Sequence, residues 1–318
     1  MFLSSYSIDV MTLQQLRALC EVVDRGLNFS RTAAALNTTQ PAISRMIRSL
    51  EQEMGAELMV RSGTRIVRLT PQGEDVVNRA RTILLDVKNL GRIAKERTDA
   101  RAGIMNVATT HTQAAYGLVG VIKKFTGMYP DVNLQLRHGG PVEIAQWISK
   151  GEVDIGISAS PKAIPGNVVT VDAYAIERCI IAPVGHPILK IARPGAKDIG
   201  RYPIIAYDER AQTGVLLNEL FAKEGIEPRI VVKATDSDVV MSYVAAGIGI
   251  ALLQKQIVRH EKRKGIRAVD ISHLLPPAMT KLSFRRDAYL PSYMYDFIAL
   301  VAPQWTRDAL EKLTTRTR

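Results

Sequence analysis

Two short stretches carry side chains whose types and spacing suit a chemical task. In Gln40-Pro41-Ala42-Ile43-Ser44-Arg45-Met46-Ile47-Arg48, an amide, a hydroxyl and two guanidinium groups share one helical face. Ile43, Ile47, Leu50 and Met54 share another. Amide and guanidinium groups near the start of a helix can reach base edges in a major groove, and hydroxyls and arginines can hold phosphates. The second stretch is ATTHTQAAY, Ala108 to Tyr116, where three threonines, a histidine and a glutamine crowd a strand-to-helix junction. Ligands of open α/β sheets bind at such carboxyl edges, and free N–H groups at a helix start favour an anion. Uncharged hydroxyl and amide donors there suit a small oxyanion or carboxylate. The plainer alternative is that Thr110 only caps the helix.

The first stretch needs a scaffold, and its surroundings predict one. Leu13, Leu16, Leu19 and Val23 form one apolar helical face from Thr12 onward. Gly26 ends it, Ser30 is read as the N-cap of a short alanine-rich helix over 32–36, and Asn37-Thr38-Thr39 supplies a turn and a cap. Pro41 is tolerated in the first turn of the next helix. Helix, three-residue turn, helix is the helix-turn-helix plan. Two apolar runs, 58–61 and 66–69, then flank Ser62-Gly63-Thr64-Arg65, which reads as a hairpin wing with Arg61 and Arg65 near its tip. Thr70 and Pro71 open a long helix to about Arg97, where Val76, Ala80, Ile83, Val87, Leu90 and Ala94 alternate four- and three-residue steps. Such a seam predicts dimerisation, with packing on its own domain as the alternative. Residues 98–103 read as a hinge.

Beyond Gly103, apolar strands alternate with helical stretches, which predicts α/β lobes with parallel sheets. Strand candidates are IMNVATT, VNLQLRHG, VDIGISA, CIIAPV, PIIAY, RIVVKAT, IGIALL and IRAVDI; helical stretches cover 112–125, 142–150, 215–223 and 238–246. The chain has 318 residues, 47% hydrophobic and 23% charged, enough for two or three globular units. No apolar run reaches the roughly 18 residues of a membrane span, and MFLSSYSIDVMTLQQL lacks the basic and apolar regions of a signal peptide. A net charge of +11 favours anionic partners. Cys20 and Cys179 are read as buried thiols in a reducing compartment. The five histidines, 111, 138, 186, 260 and 273, show no ligand spacing, so no metal site is expected. Arg259–Lys264 is read as a solvated charge run, and no nucleophile elbow or Cys–His pair points to an enzyme.

Residues 11–97 resemble the DNA-binding and linker region of LysR-type transcriptional regulators, in the segments LQQLRALCEVVD, FSRTAAALNTTQPAISRMIRSLEQEMG and LMVRSGTRIVRLTPQGE. The remainder resembles the effector domain of that family's CysB-like subgroup, which governs sulfur and cysteine metabolism, through ATTHTQAAY, FTGMYPDVNLQL, ISKGEVDIGI, RIVVKATDSDVV and SFRRDAYLPSYMYDFIALVAPQWTRD. The resemblance implies a winged helix-turn-helix over 11–69 after an extension at 1–10, a linker and dimerisation helix over 70–99, and an effector domain over 103–318. That domain is implied to be periplasmic-binding-protein-like, with two Rossmann-like lobes: lobe I over 103–172 and 276–318, lobe II over 173–275. Gln40, Pro41, Ser44, Arg45 and Arg48 would enter the major groove of operator DNA. Ser30, Thr38 and Thr39 would hold the backbone, with Arg61 and Arg65 acting from the wing. The resemblance also implies effector contacts at Thr110, Thr112, Gln113 and Thr213, and at the strand end carrying Ser158 and Ala159. Relatives usually have a threonine at the Ala159 position and an arginine where Ala115 stands, and Asp208-Glu209-Arg210 differs as well. Sulfate, adenylyl sulfate, a sulfonate-pathway anion and an acetylserine therefore remain alternative effectors. A cytoplasmic, nucleoid-associated dimer of dimers that engages RNA polymerase and needs no cofactor is implied. A LysR-type regulator of another pathway with a different carboxylate effector, an enzyme acting on acetylserine-like substrates and a solute-binding protein are the competing readings.

Overall fold

The computed structural model describes residues 11–63, 65–98, 101–161, 163–207, 212–260 and 264–314. The chain divides into two compact units, one ending at Ala94 and one beginning at Lys95.

The first unit contains α1 (Leu13–Asp24), α2 (Phe29–Ala35), α3 (Gln40–Met54), the hairpin β1 (Met59–Ser62) and β2 (Arg65–Leu69), and most of α4 (Pro71–Thr98). Thr12 and Gln15 cap α1 reciprocally in a capping box. The cap of α2 differs from expectation. Asn28, not Ser30, accepts from Arg31 N at 2.9 Å, and Ser30 lies inside the first turn. One residue separates Asn28 from Ser30, and the asparagine has the extended backbone that a cap requires. Asn37 turns the chain with φ 50°, which asparagine tolerates better than other side-chain-bearing residues. Thr39 then caps α3, and Pro41 sits in its first turn. Leu16, Leu19, Ile43, Ile47, Leu50, Leu58 and Met59 form the core, joined by Val77 and Ala80 of α4.

In the second unit the chain builds one lobe, crosses to another and returns. β3 (Gly103–Thr109), a π-helical turn (Gln113–Gly117), α5 (Val119–Met128), β4 (Val132–His138), α6 (Pro141–Lys150), β5 (Ile155–Ser158) and β6 (Val168–Ile176) come first. β7 (Arg178–Pro183), α7 (Ala196–Gly200), β8 (Ile204–Tyr207), α8 (Gln212–Lys223), β9 (Ile230–Ala234), α9 (Ser237–Ala245), β10 (Ala251–Gln254), α10 (Lys255–His260) and β11 (Ile266–Asp270) follow. β12 (Ala278–Arg285), α11 (Ser292–Val301) and α12 (Arg307–Thr314) close the first lobe. Its sheet has the order β4-β3-β5-β12-β6. β3 is parallel to β4 and β5, but β12 runs antiparallel to β5 and β6, so the sheet is mixed rather than parallel. The second lobe pairs β8 with β9 in parallel and flanks β7 with β10 and β11 antiparallel.

β6 and β12 pair from Val168–Arg285 to Ile176–Ala278. The crossing therefore falls at Glu177, between β6 and β7, and not at residue 172 as the sequence suggested. The helix expected over 112–125 is interrupted. Leu118 N reaches Gln113 O at 2.9 Å, a five-residue step that widens one turn before α5 begins.

Candidate nucleic-acid interface and effector cavity

On the first unit, a groove of about 400 Å³ is lined by Gln40, Ser44 and Arg48 of α3, Arg61 of β1, and Asn28 and Phe29 at the start of α2. The i, i+4, i+8 spacing of Gln40, Ser44 and Arg48 puts them on one face, opposite the buried Ile43, Ile47 and Leu50. Glu51 ties the wing to this helix. One carboxylate oxygen accepts from Leu58 N at 3.0 Å, and the other pairs with Arg61 at 3.1 Å. Arg45 and Arg48 are exposed, as are Pro41, Thr39 and Ser30, while Thr38 is half-buried. The Arg65 side chain lies outside the described residues. The seam of α4 is divided. Ala80 is 1% exposed in the core of its own unit, and the half-buried Val76 packs against that core. Ile83, Val87 and Leu90 stay outward, Leu90 at 66% exposure.

On the second unit, a cavity of about 380 Å³ opens between the lobes. The first lobe contributes Thr110, His111, Thr112 and Gln113, the chain from Gly139 to Pro141, Glu143 and Ala159. The second contributes Tyr207, Thr213, Thr235, Leu253 and Gln254. Ile176, Met279 and Thr280, at the crossing strands, complete the lining. Thr213 stands in the first turn of α8, not in a free turn. Ser158 is absent from the lining; it is buried and donates to Ala159 O at 2.9 Å. Asp208, Glu209 and Arg210 lie outside the described residues.

The internal bonds say which donors the cavity holds ready. Thr109, the first of the three threonines, spends its hydroxyl on Ile157 O at 2.7 Å. The next two, Thr110 and Thr112, line the cavity. The oxygen of the Gln113 amide accepts from Tyr174 at 2.7 Å and from Gln256 at 3.2 Å. Burial pushes the Tyr174 hydroxyl up from its ordinary pKa and keeps it a donor. With its oxygen held by two donors, Gln113 has its NH2 group left for a ligand. Thr280 is 1% exposed, and its hydroxyl finds no partner at hydrogen-bonding geometry. Glu143 caps α6 by accepting from Gly140 N at 2.8 Å. The π-helical turn also joins the lobes: Tyr116 packs into the second lobe's cluster with Ile181, Val240 and Leu253, and donates to Asp238.

A helix-turn-helix with a wing, followed by a two-lobed α/β unit with a donor-lined cleft, matches known proteins over nearly its whole length. Residues 13–74 match the bacterial regulatory helix-turn-helix protein of the lysR family, and residues 98–306 match the LysR substrate binding domain. The chain belongs to the LysR family. Among relatives of this LysR regulator, the transcriptional regulator CysB of Haemophilus influenzae is 36% identical over 95% of the chain and 93% of the relative. SsuR of Burkholderia cenocepacia is 36% identical over 92% and 95%. The crystal structure of the cofactor-binding domain of the Cbl transcriptional regulator superposes with a TM-score of 0.64 at 30% identity, covering 68% of the chain and 95% of that domain. The chain is thus a LysR-type transcriptional regulator closely related to CysB, SsuR and Cbl, and not an enzyme. No helix among the described residues is long and apolar enough to cross a membrane.

Sequence reasoning missed several residues of this LysR regulator's cavity. Gly139, Tyr207 and Thr235 each follow or end a strand that was recognised, so the carboxyl-edge rule could have found them. Met279 and Thr280 stand on β12, which was not among the strand candidates.

Proposed function

We propose that this regulator controls genes of sulfur assimilation, cysteine biosynthesis or sulfonate utilisation in response to a small anion bound between its lobes. The reading is supported by its relatives CysB, SsuR and Cbl, and it rests most on one observation: Thr110, Thr112 and Gln113 face Thr213 across one cavity. Hydroxyl and amide donors from both lobes let a ligand favour one lobe arrangement over another, and differential affinity is what moves such an equilibrium. Sulfate, adenylyl sulfate and an acetylserine are the candidate effectors. The protein would act in the cytoplasm, on the nucleoid, as a homo-oligomer. Ile83, Val87 and Leu90 are proposed as the dimer seam; a dimer of dimers and contact with RNA polymerase would follow the family pattern. Gln40, Pro41, Ser44, Arg45 and Arg48 would read the major groove of operator DNA. Ser30, Thr38, Thr39, Arg61 and Arg65 would serve its backbone.

The test is thermal denaturation of the full chain in EDTA with sulfate, thiosulfate, adenylyl sulfate, O-acetylserine and N-acetylserine. A ligand that binds only the folded state at a hundred times its Kd adds about 2.7 kcal/mol. One compound should raise the melting temperature, and Thr112→Ala should abolish the shift. In parallel, Arg45→Ala or Arg48→Ala should weaken binding to a genomic fragment selected by the wild-type protein. No shift with any compound would sink the effector class, and unchanged DNA affinity in both variants would sink the helix placement.

A further inference from the structure

His111 and two aspartates 125 and 127 positions later come together beside the cavity. His111 Nε2 lies 3.0 Å from Asp236 Oδ2. One ligand atom from each of His111, Asp236 and Asp238 falls within 4.8 Å of the others. The imidazole belongs to the first lobe and both carboxylates to the second. From this geometry we infer that His111, Asp236 and Asp238 form a binding site for a divalent transition-metal cation that clips the two lobes together. This rests on the contacts between the lobes and not on the identity of the effector.

Three observations carry it. First, each carboxylate is already oriented by a bond of its own, as metal-binding carboxylates are. Asp236 uses Oδ1 to accept from Asp238 N at 2.7 Å and from Val239 N at 3.4 Å, so Oδ2 is the atom turned to His111. Asp238 accepts from the buried Tyr116 hydroxyl. Second, His111 is exposed, which leaves a path for the ion. Third, the cavity that His111 helps to line has no lysine or arginine among its described residues and carries the Glu143 carboxylate. A dipositive ion at its rim would offset that carboxylate's charge. One imidazole and two carboxylates suit zinc or manganese. The nitrogen ligand favours these over magnesium, and zinc should bind more tightly than manganese. Cys20 and Cys179 are buried and do not compete for the metal. The sequence could not show this site, because the histidine spacings contain no ligand pattern and the carboxylates arrive only through the lobe contact.

The experiment is calorimetric titration of the EDTA-treated, dialysed full chain with zinc chloride, manganese chloride and magnesium chloride. Zinc should bind with one equivalent per chain, and at least tenfold more weakly to His111→Gln and to Asp236→Asn. The asparagine keeps the cap of α9, and the melting temperature of each variant without metal confirms that it folds. His273→Gln should leave zinc binding unchanged. No saturable zinc binding, or equal affinity in both ligand variants, overturns the site. Magnesium binding as tightly as zinc overturns the part given to the imidazole. An effector shift that persists in EDTA together with absent zinc binding removes this inference and leaves the regulatory reading standing.

Discussion

At the scale of single residues, the cavity depends on a glycine that touches no ligand. A Cβ built on Gly117 would overlap Gln113 Oε1 and come within 3.3 Å of the Tyr174 hydroxyl. The Gln113 amide cannot step aside freely, because Tyr174 and Gln256 hold it from two sides. Gly117→Ala therefore displaces a binding group without removing any polar atom. Overpacking of this kind costs about 1–3 kcal/mol. The variant should fold with a lowered melting temperature and lose at least half of the effector-induced shift, as Gln113→Ala should. A wild-type shift in Gly117→Ala would mean that the amide is not a ligand contact. Residue chemistry was partly legible beforehand. ATTHTQAAY announced itself because its donors are consecutive. Thr280 did not, because a lone threonine on an unrecognised strand looks like any other. The cap of α2 was misplaced by two residues because asparagine and serine carry equivalent cap signals, and only backbone geometry separates them.

At the scale of elements, the last turn of α4 is fastened within the second unit by one carboxylate. Glu96 Oε1 accepts from Ser292 N at 2.8 Å and from its hydroxyl at 2.6 Å, while Oε2 accepts from Tyr289. Partial burial pushes the Glu96 pKa up, but the hydrogen bonds from Ser292 and Tyr289 and the nearby Arg307 outweigh it, and the net direction is down. A carboxylate lowered on folding contributes stability above its unfolded pKa and loses it as pH falls through the folded value. Glu96→Gln should lower the melting temperature at pH 7 by roughly 2–4 °C, the shift that about 1 kcal/mol produces in a domain of this size. The difference should shrink as the pH falls below about 4, near the ordinary glutamate pKa. A difference independent of pH would show that packing, and not the charge, holds the turn. Elements with long apolar periods, α1, α3 and α4, were readable from sequence. The crossing strands β6 and β12 were not, because they pair with each other across more than a hundred residues. The π-helical turn was read as plain helix, since the partners of Gln113 and Tyr116 there, Tyr174, Gln256 and Asp238, lie far off in the chain.

At the scale of the whole molecule, two ligands of one polypeptide must obey reciprocity. If the effector changes operator affinity by some factor, the operator changes effector affinity by the same factor. DNA binding through phosphate contacts is salt-dependent, so both affinities have to be measured at one ionic strength. The coupling cannot exceed the effector's differential affinity for the two lobe arrangements. Tyr116 offers a test of that limit, since it leaves the first lobe, packs into the second lobe's core and bonds to Asp238. Tyr116→Phe keeps the ring and removes the hydroxyl that donates to Asp238. It should leave operator affinity without effector within about twofold, and reduce the coupling factor measured in either direction by the same amount, about ten- to a hundredfold where the full worth of a hydrogen bond to a charged group, about 1.5–3 kcal/mol, is lost from one lobe arrangement. Equal coupling in Tyr116→Phe and the wild type would place the communication elsewhere in the lobe contact. Unequal factors in the two directions would mean that a third species, such as a bound cation, changes occupancy during the titration.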